Sequence, residues 1–164
     1  LENPYCSYTV AEGKLLYFQG NVDTTNKVVF YYDKTFLTIT LPHGRKLYYF
    51  RPGIKGNELY YLQWATTGLV EVKIYGGKLC ENLSQAIARD LLFEKMQQVT
   101  TRFSEFDDPS ICLHVHDEIV LDGIHKDEAE AIAKVLTEIM STESEYCKGL
   151  PLNCSTGIAR YYKK

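Results

Sequence analysis

The hydrophobic pattern of this chain changes period near Gly76-Gly77, and that change limits the folds open to it. Before it, apolar residues recur about every second position. After it, they recur about every 3.6 positions. The first spacing puts one face of a strand against a core, and the second does the same for a helix. Short strands are predicted over Val28–Tyr32, Phe36–Leu41, Lys46–Phe50 and Glu58–Ala65. Asp33-Lys34 reads as one turn between them. Leu41-Pro42-His43-Gly44 reads as a type I turn, with Pro second and Gly fourth. Thirteen tyrosines, mostly in the first half, suit strands better than a helical bundle. Consecutive short strands with turn signals between them predict an antiparallel meander.

From Lys78 to Met96 the chain has neither Gly nor Pro and is rich in helix formers. Leu79, Leu83, Ile87 and Leu91 fall on one side of a helical wheel. Lys78, Glu81, Asn82, Gln85 and Arg89 fall on the opposite arc. Asp90 lies among the apolar positions, and nothing in the sequence accounts for it. Ile111–Leu121 reads as strand, turn, strand. Lys126–Met140 reads as a second amphipathic helix, with Ala129, Ile132, Ala133, Leu136 and Met140 on one face. A short final strand is predicted after Gly149-Leu150-Pro151. The order of strands, helix, hairpin, helix and strand predicts an α+β fold, with antiparallel strands and two main helices.

The 164 residues suit a single domain spanning 1–164. No apolar run is long enough to cross a bilayer, and no signal-peptide pattern opens the chain. No membrane partner is expected. Cys6, Cys80, Cys112, Cys147 and Cys154 are odd in number and scattered, with no C-x-x-C pair. They read as reduced thiols of a cytoplasmic protein. The net charge is −3, whereas a self-sufficient nucleic-acid binder carries a basic footprint. Such a chain either does not bind nucleic acid alone or supplies a small part of a larger site.

The segment Leu113-His114-Val115-His116-Asp117-Glu118-Ile119-Val120-Leu121-Asp122 carries the most chemistry. Its flanks favour strands, so a two-residue turn at His116-Asp117 closes a hairpin. Such turns need positive φ and prefer Gly or Asn, so His-Asp breaks the local rule. A turn that breaks a local rule is a place to look for function. Asp117 at its tip is placed to meet a magnesium ion. Two other readings stand beside this one. Acidic turns are commonly just solvated. His114 and His116 share a strand face and suit zinc, if a third ligand joins them; only His43 and His125 remain, and neither sits in a metal motif.

The string HVHDE between apolar strands resembles motif C of family A DNA polymerases, the bacterial DNA polymerase I type. YGGKLCENLSQAIARDLLFEKM before it resembles the helix preceding motif C in phage-encoded members. LPHGRKLYYFRP and KGLPLN resemble the same group, in the same order. The resemblance covers about residues 36–164 and leaves 1–35 unassigned. It implies a partial polymerase palm with a motif C β-hairpin. Asp117 then corresponds to the aspartate that binds the catalytic metals, and Glu118 to its acidic neighbour. His116 corresponds to the histidine whose backbone contacts the primer end. Gln85 corresponds to the glutamine that contacts the minor groove near the primer terminus. Lys78, Glu81 and Asn82 share its helical face, and Lys78 and Arg89 are expected near phosphate or an acidic side chain. A solvated polar helix face is the plain alternative for all of these. The chain departs from the pattern at His43, where serine is usual. It also departs at Tyr146-Cys147, where tryptophan is common, and in the tail STGIARYYKK, which lacks a frequent Gly-Trp.

Nucleotide addition in that family uses two metal ions about 4 Å apart, clamped by carboxylates. The second essential aspartate sits in motif A, beside a Tyr-Ser-x-Ile-Glu type string. The triphosphate is held by a helix bearing Arg-x-x-x-Lys followed by Phe-Gly. Neither string occurs in these residues. The resemblance therefore implies a fragment or split subunit that is inactive alone. Its partners would be primer-template DNA, deoxynucleoside triphosphate and a segment carrying motifs A and B. Mg2+ would complete its site with residues outside the chain. The alternative is a non-catalytic DNA- or replisome-binding module that keeps the palm fold.

Overall fold

A computed structural model describes the backbone of residues 6–11 and 14–19, and the backbone and side chains of residues 28–104 and 109–162. The chain is α+β, with an antiparallel sheet and two helices. It divides into two compact units, Leu1–Ile87 and Ala88–Lys164. The division falls inside the first helix, α1 (Gly76–Phe103).

In the first unit, β1 (Cys6–Ala11) and β2 (Lys14–Gln19) pair as a hairpin. Five strands follow as an antiparallel meander in chain order: β3 (Val29–Tyr32), β4 (Phe36–Thr40), β5 (Lys46–Lys55), β6 (Glu58–Ala65) and β7 (Gly68–Ile74). The predicted turns close as expected. The Asp33 carboxylate accepts from the amides of Thr35 and Phe36, at 2.8 and 2.6 Å. Those bonds hold its carboxyl below the usual range. Gly44 donates to the Leu41 carbonyl at 2.8 Å, the i to i+3 bond of the predicted turn.

Register decides which residues make the core. Leu37 pairs with Tyr49, Ile39 with Leu47, and Leu59 with Ile74, so these side chains share one face. Ile39, Tyr49 and Ile74 are buried there, with Phe30, Leu37, Leu47, Leu59 and Tyr61 packed around them. Leu79 and Leu83 of α1 pack onto the same cluster, as their helical spacing predicts.

Two features of the sheet go beyond the strands predicted from the sequence. The fifth strand, β7, occupies residues left unassigned, although Val70, Val72 and Ile74 alternate with Leu69, Glu71 and Lys73. β5 also runs past its predicted end at Phe50, through Arg51-Pro52. A central strand tolerates proline only where the ladder is interrupted, because proline has no amide to donate. The register shifts between Phe50 and Gly53, and Arg51 takes a positive φ of 43°. The bulge lets the strand resume at Gly53, opposite Tyr60. A Cβ at Gly53 would meet the Tyr60 ring, so glycine is needed for close packing here.

In the second unit, α1 continues beyond the predicted Met96. Leu91, Leu92, Val99 and Phe103 are buried along it. Val99 and Phe103 stand one turn apart, and their burial favours the added helix over intrinsic propensity. Strands β8 (Ser110–Val115) and β9 (Glu118–Asp122) form the predicted hairpin. The second helix, α2, spans Ala129–Ser141 and starts three residues later than predicted. Residues 126–128 instead form a turn, closed by the Glu128 amide on the His125 carbonyl at 3.0 Å. A short 3-10 turn covers Glu145–Cys147.

The predicted final strand does not form among the described residues 148–162. Gly149 (φ 84°) and Pro151 break the chain as predicted, but the described residues after them pair with no strand. Side chains hold this tail instead. The Gly149 amide donates to Glu143, and the Thr137 and Thr156 hydroxyls bond each other. No described helix is long and apolar enough to cross a membrane.

Candidate functional site

The β8–β9 hairpin presents His116 and Asp117 as its two-residue turn, between the closing pair Val115 and Glu118. His116 has φ of 52°, and Asp117 does not share the positive sign. Positive φ at only the first turn residue is the pattern of a type II′ turn, which ordinarily places glycine there. A non-glycine residue with positive φ costs on the order of 1 kcal/mol. The hairpin therefore holds an unfavourable backbone conformation next to its exposed carboxylate.

The two acidic residues differ in surroundings. Asp117 is exposed at the tip, whereas Glu118 is half-buried at the start of β9. The Tyr162 hydroxyl donates to Glu118 Oε2 at 3.1 Å. Loss of surrounding water and the adjacent Glu118 carboxylate hold the Tyr162 hydroxyl above its usual value. Sequence reasoning did not find Tyr162, which lies 44 residues from its partner in a tail without secondary structure. Asp117 thus offers free hard-oxygen donors for a cation, while Glu118 is oriented by a tyrosine.

The hairpin is also tied to the second half of α1. The Phe93 ring packs edge-on against His114 of β8, with centroids 5.6 Å apart. Arg89 lies over the same Phe93 ring at 5.3 Å. Arg89, expected near phosphate or an acidic group, is thus stacked on an aromatic that touches the hairpin. His114 faces Phe93, and no group of three or more His, Cys, Asp and Glu residues able to hold a metal occurs among the described residues. The zinc reading of His114 and His116 gains no third ligand there.

The remaining predicted residues lie on the first half of α1, in the first unit. Lys78 Nζ bonds Glu81 Oε1 at 2.9 Å, and Gln85 Nε2 donates to the same oxygen at 3.3 Å. The Glu81 bond raises the Lys78 ammonium above its usual value. These three side chains form one exposed polar row. Asn82 does not join it: it is half-buried and donates to the Tyr49 hydroxyl at 3.1 Å, turned towards the sheet. Arg45 donates to the Ala86 carbonyl at 2.8 Å, another tie between this part of the helix and the sheet's turn.

Asp90 finds its explanation in the second unit. Burial, with the negative charges of Glu94 and Asp90, pushes the Cys147 thiol up. Burial also raises the Tyr146 hydroxyl, and Glu94 adds to it. Asp90 and Glu94, one helical turn apart, therefore face the 144–147 segment rather than an apolar core. Beside them Lys95 is only 2% exposed, and its ammonium donates to the Thr142 carbonyl at 2.7 Å. This polar seam joins α1 to the chain leaving α2.

The chain is 34% identical over 145 residues to a protein named DNA polymerase from Bacillus phage SP02. The match takes in 84% of this chain and 21% of that protein, so the chain spans about a fifth of its relative's length. No protein-family model matches, and no solved structure matches. The similarity makes the chain a relative of a phage DNA polymerase.

Proposed function

We propose that this chain is the part of a DNA-directed DNA polymerase that supplies the motif C aspartate, Asp117, and contacts to the primer-template. The observation that carries this is HVHDE at the strained tip of a β-hairpin, in a chain related to a phage DNA polymerase. In this reading the fold is the C-terminal part of a family A palm. Asp117 is exposed and acceptor-only, which suits magnesium and its preference for hard oxygen. Bound magnesium would supply the charge that activates the primer hydroxyl and steadies the leaving oxygen. One exposed carboxylate is half a clamp, so the second must come from a segment carrying motif A. The segment with motif B would hold the triphosphate.

The chain's own residues then have positioning work. The type II′ turn holds Asp117 at the tip, next to the His116 backbone. Tyr162 orients Glu118. On α1, Glu81 anchors both Lys78 and Gln85, which fixes the Gln85 amide for a minor-groove contact. Arg89, stacked on Phe93, keeps its charge while losing rotamer freedom, as a phosphate contact favours.

Primer extension tests this. The chain alone, with magnesium and nucleotides, is expected to give no templated product. Mixed with a chain bearing motifs A and B from the same type of polymerase, it is expected to restore extension. Asp117→Asn should then lower the restored rate on the order of 10³-fold, the scale of losing one aimed electrostatic group at a reacting centre. Normal restored activity with the Asn variant would refute the role of Asp117, and robust extension by the chain alone would refute the fragment reading.

A further inference from the structure

The charges of the chain are not evenly spread. Residues 28–87 carry seven Lys and Arg against four Asp and Glu, while residues 88–164 carry nine against fourteen. The net acidity of the whole chain conceals a basic sheet region.

The five-stranded sheet has one face against α1 and another that carries rings. Register puts Tyr31, Thr38 and Tyr48 side by side across β3, β4 and β5 on that second face. Trp64 pairs with Leu69 across β6 and β7. Tyr48 is two residues before Phe50, and Trp64 is two residues after Leu62, the partner of Phe50. In antiparallel strands both therefore lie on the same face and on the same side of that pair. The outcome is one row of side chains crossing the sheet. Trp64 is 74% exposed, Tyr48 61% and Tyr31 36%. Behind it runs a half-buried row of Phe36, Phe50 and Leu62, in which Phe36 packs against both Phe50 and Tyr48. That second row flanks the exposed one on the same face and touches it where Phe36 meets Tyr48.

Cations are set among the rings. Lys46 stands two residues from Tyr48 on the same strand face, and Arg51 lies over Phe50 at 5.2 Å. Lys55 lies over Tyr60 at 4.8 Å and bonds Glu71, and Lys73 pairs with Glu58. Four cations against two carboxylates leave this face positive. A protein–protein interface core is depleted in charge, whereas here lysine and arginine border the rings. Exposed rings plus an excess of positive charge form the surface that single-stranded nucleic acid uses, bases stacking on rings and phosphates meeting cations.

We infer that the β3–β7 sheet binds single-stranded nucleic acid on its open face, with Tyr31, Tyr48 and Trp64 as stacking platforms and Lys46 and Arg51 as phosphate contacts. The inference uses none of the residues assigned to nucleotidyl transfer. It needs no metal, nucleotide or partner segment, so it can fail while the polymerase reading stands, and the reverse.

Trp64 is the only tryptophan in the chain, so tryptophan emission reports on this face alone. The full chain is titrated at low salt with an oligodeoxythymidine of roughly ten nucleotides, within the site sizes such surfaces cover. Trp64 emission should be quenched saturably, more weakly for a duplex of equal length. Added salt should weaken binding, with a log–log slope of roughly −1.4 for two phosphate contacts on a single strand. Tyr48→Leu keeps the apolar bulk and removes the ring, and is expected to weaken binding about five- to a hundred-fold. Tyr48→Phe should bind as the parent does and controls for folding. Absence of quenching, equal binding by the Leu variant, or self-association of the chain that shields Trp64 without oligonucleotide would each overturn the inference.

Discussion

The sheet of the first unit and the helical seam of the second are stabilised by different chemistry. In the sheet, the most buried positions are apolar: Ile39 at 0%, with Tyr49 and Ile74 close behind. In the second unit, Lys95 and Ser144 are buried as deeply as Val99. The sheet gains from area removed from water, which is indifferent to pH and tolerant of direction. The seam gains only while each buried polar group keeps a partner, because a lost partner exposes the full desolvation cost. A chain can thus be robust in one half and conditional in the other.

The largest expected effect tests the apolar half. Ile39→Ala should cost about 2–5 kcal/mol, from lost transfer energy plus a cavity in a site closed by strands on both sides. Chemical denaturation measures it. A loss well under that range would mean that the sheet collapses around the gap and is not packed as described.

Lys95→Met tests the polar half. It keeps the stem but leaves the Thr142 carbonyl without its donor, and should cost about 1–3 kcal/mol. Equal or greater stability would show that the seam behaves like the apolar core, and the contrast between the units would be lost.

Alkaline pH sharpens the same contrast. Folding raises the Cys147 thiol above its ordinary 9.0 and raises Tyr146 likewise. The unfolded chain then releases protons first as pH rises. The folded state binds more protons, so stability contributed at this seam is present below pH 9.0 and falls above it. Cys147→Ser should flatten the decline in urea midpoint between neutral pH and about pH 10, since the serine hydroxyl does not titrate there. An unchanged slope would remove Cys147 from the account.

The smallest effect concerns the hairpin. His116→Gly should relieve the positive φ and raise stability by a few tenths to about 1 kcal/mol. A loss of stability would mean that the His116 side chain contributes more than its backbone costs.

Much of this was legible in the sequence for local reasons. Alternation and turn chemistry placed β3, β4 and β6 and the turns at Asp33-Lys34 and Leu41–Gly44. Helical spacing placed Leu79 and Leu83 on the core. The poor fit of His116-Asp117 to its turn pointed to the strained tip that the structure has there. Apart from β7, whose local alternation went unassigned, the misses share a cause, which is that surroundings beyond the local pattern decided them. β5 passes through Pro52 because a bulge removes the need for its amide. α1 outlasts Met96 because Val99 and Phe103 find burial. The tail stays irregular because no described strand lies beside it to pair with, and the Thr137–Thr156 bond holds it instead.

The sequence by itself determined the α+β class, the hairpin with Asp117 at its tip and the polar row of Lys78, Glu81 and Gln85. Each follows from spacing within a few residues, where backbone geometry is enough. Only the tertiary structure decided that Asn82 turns to Tyr49, that Tyr162 meets Glu118, that Asp90 belongs to a buried polar seam, and that the sheet turns a row of rings outward. Those outcomes depend on which strand lies beside which and what covers each face, and no local pattern carries that information.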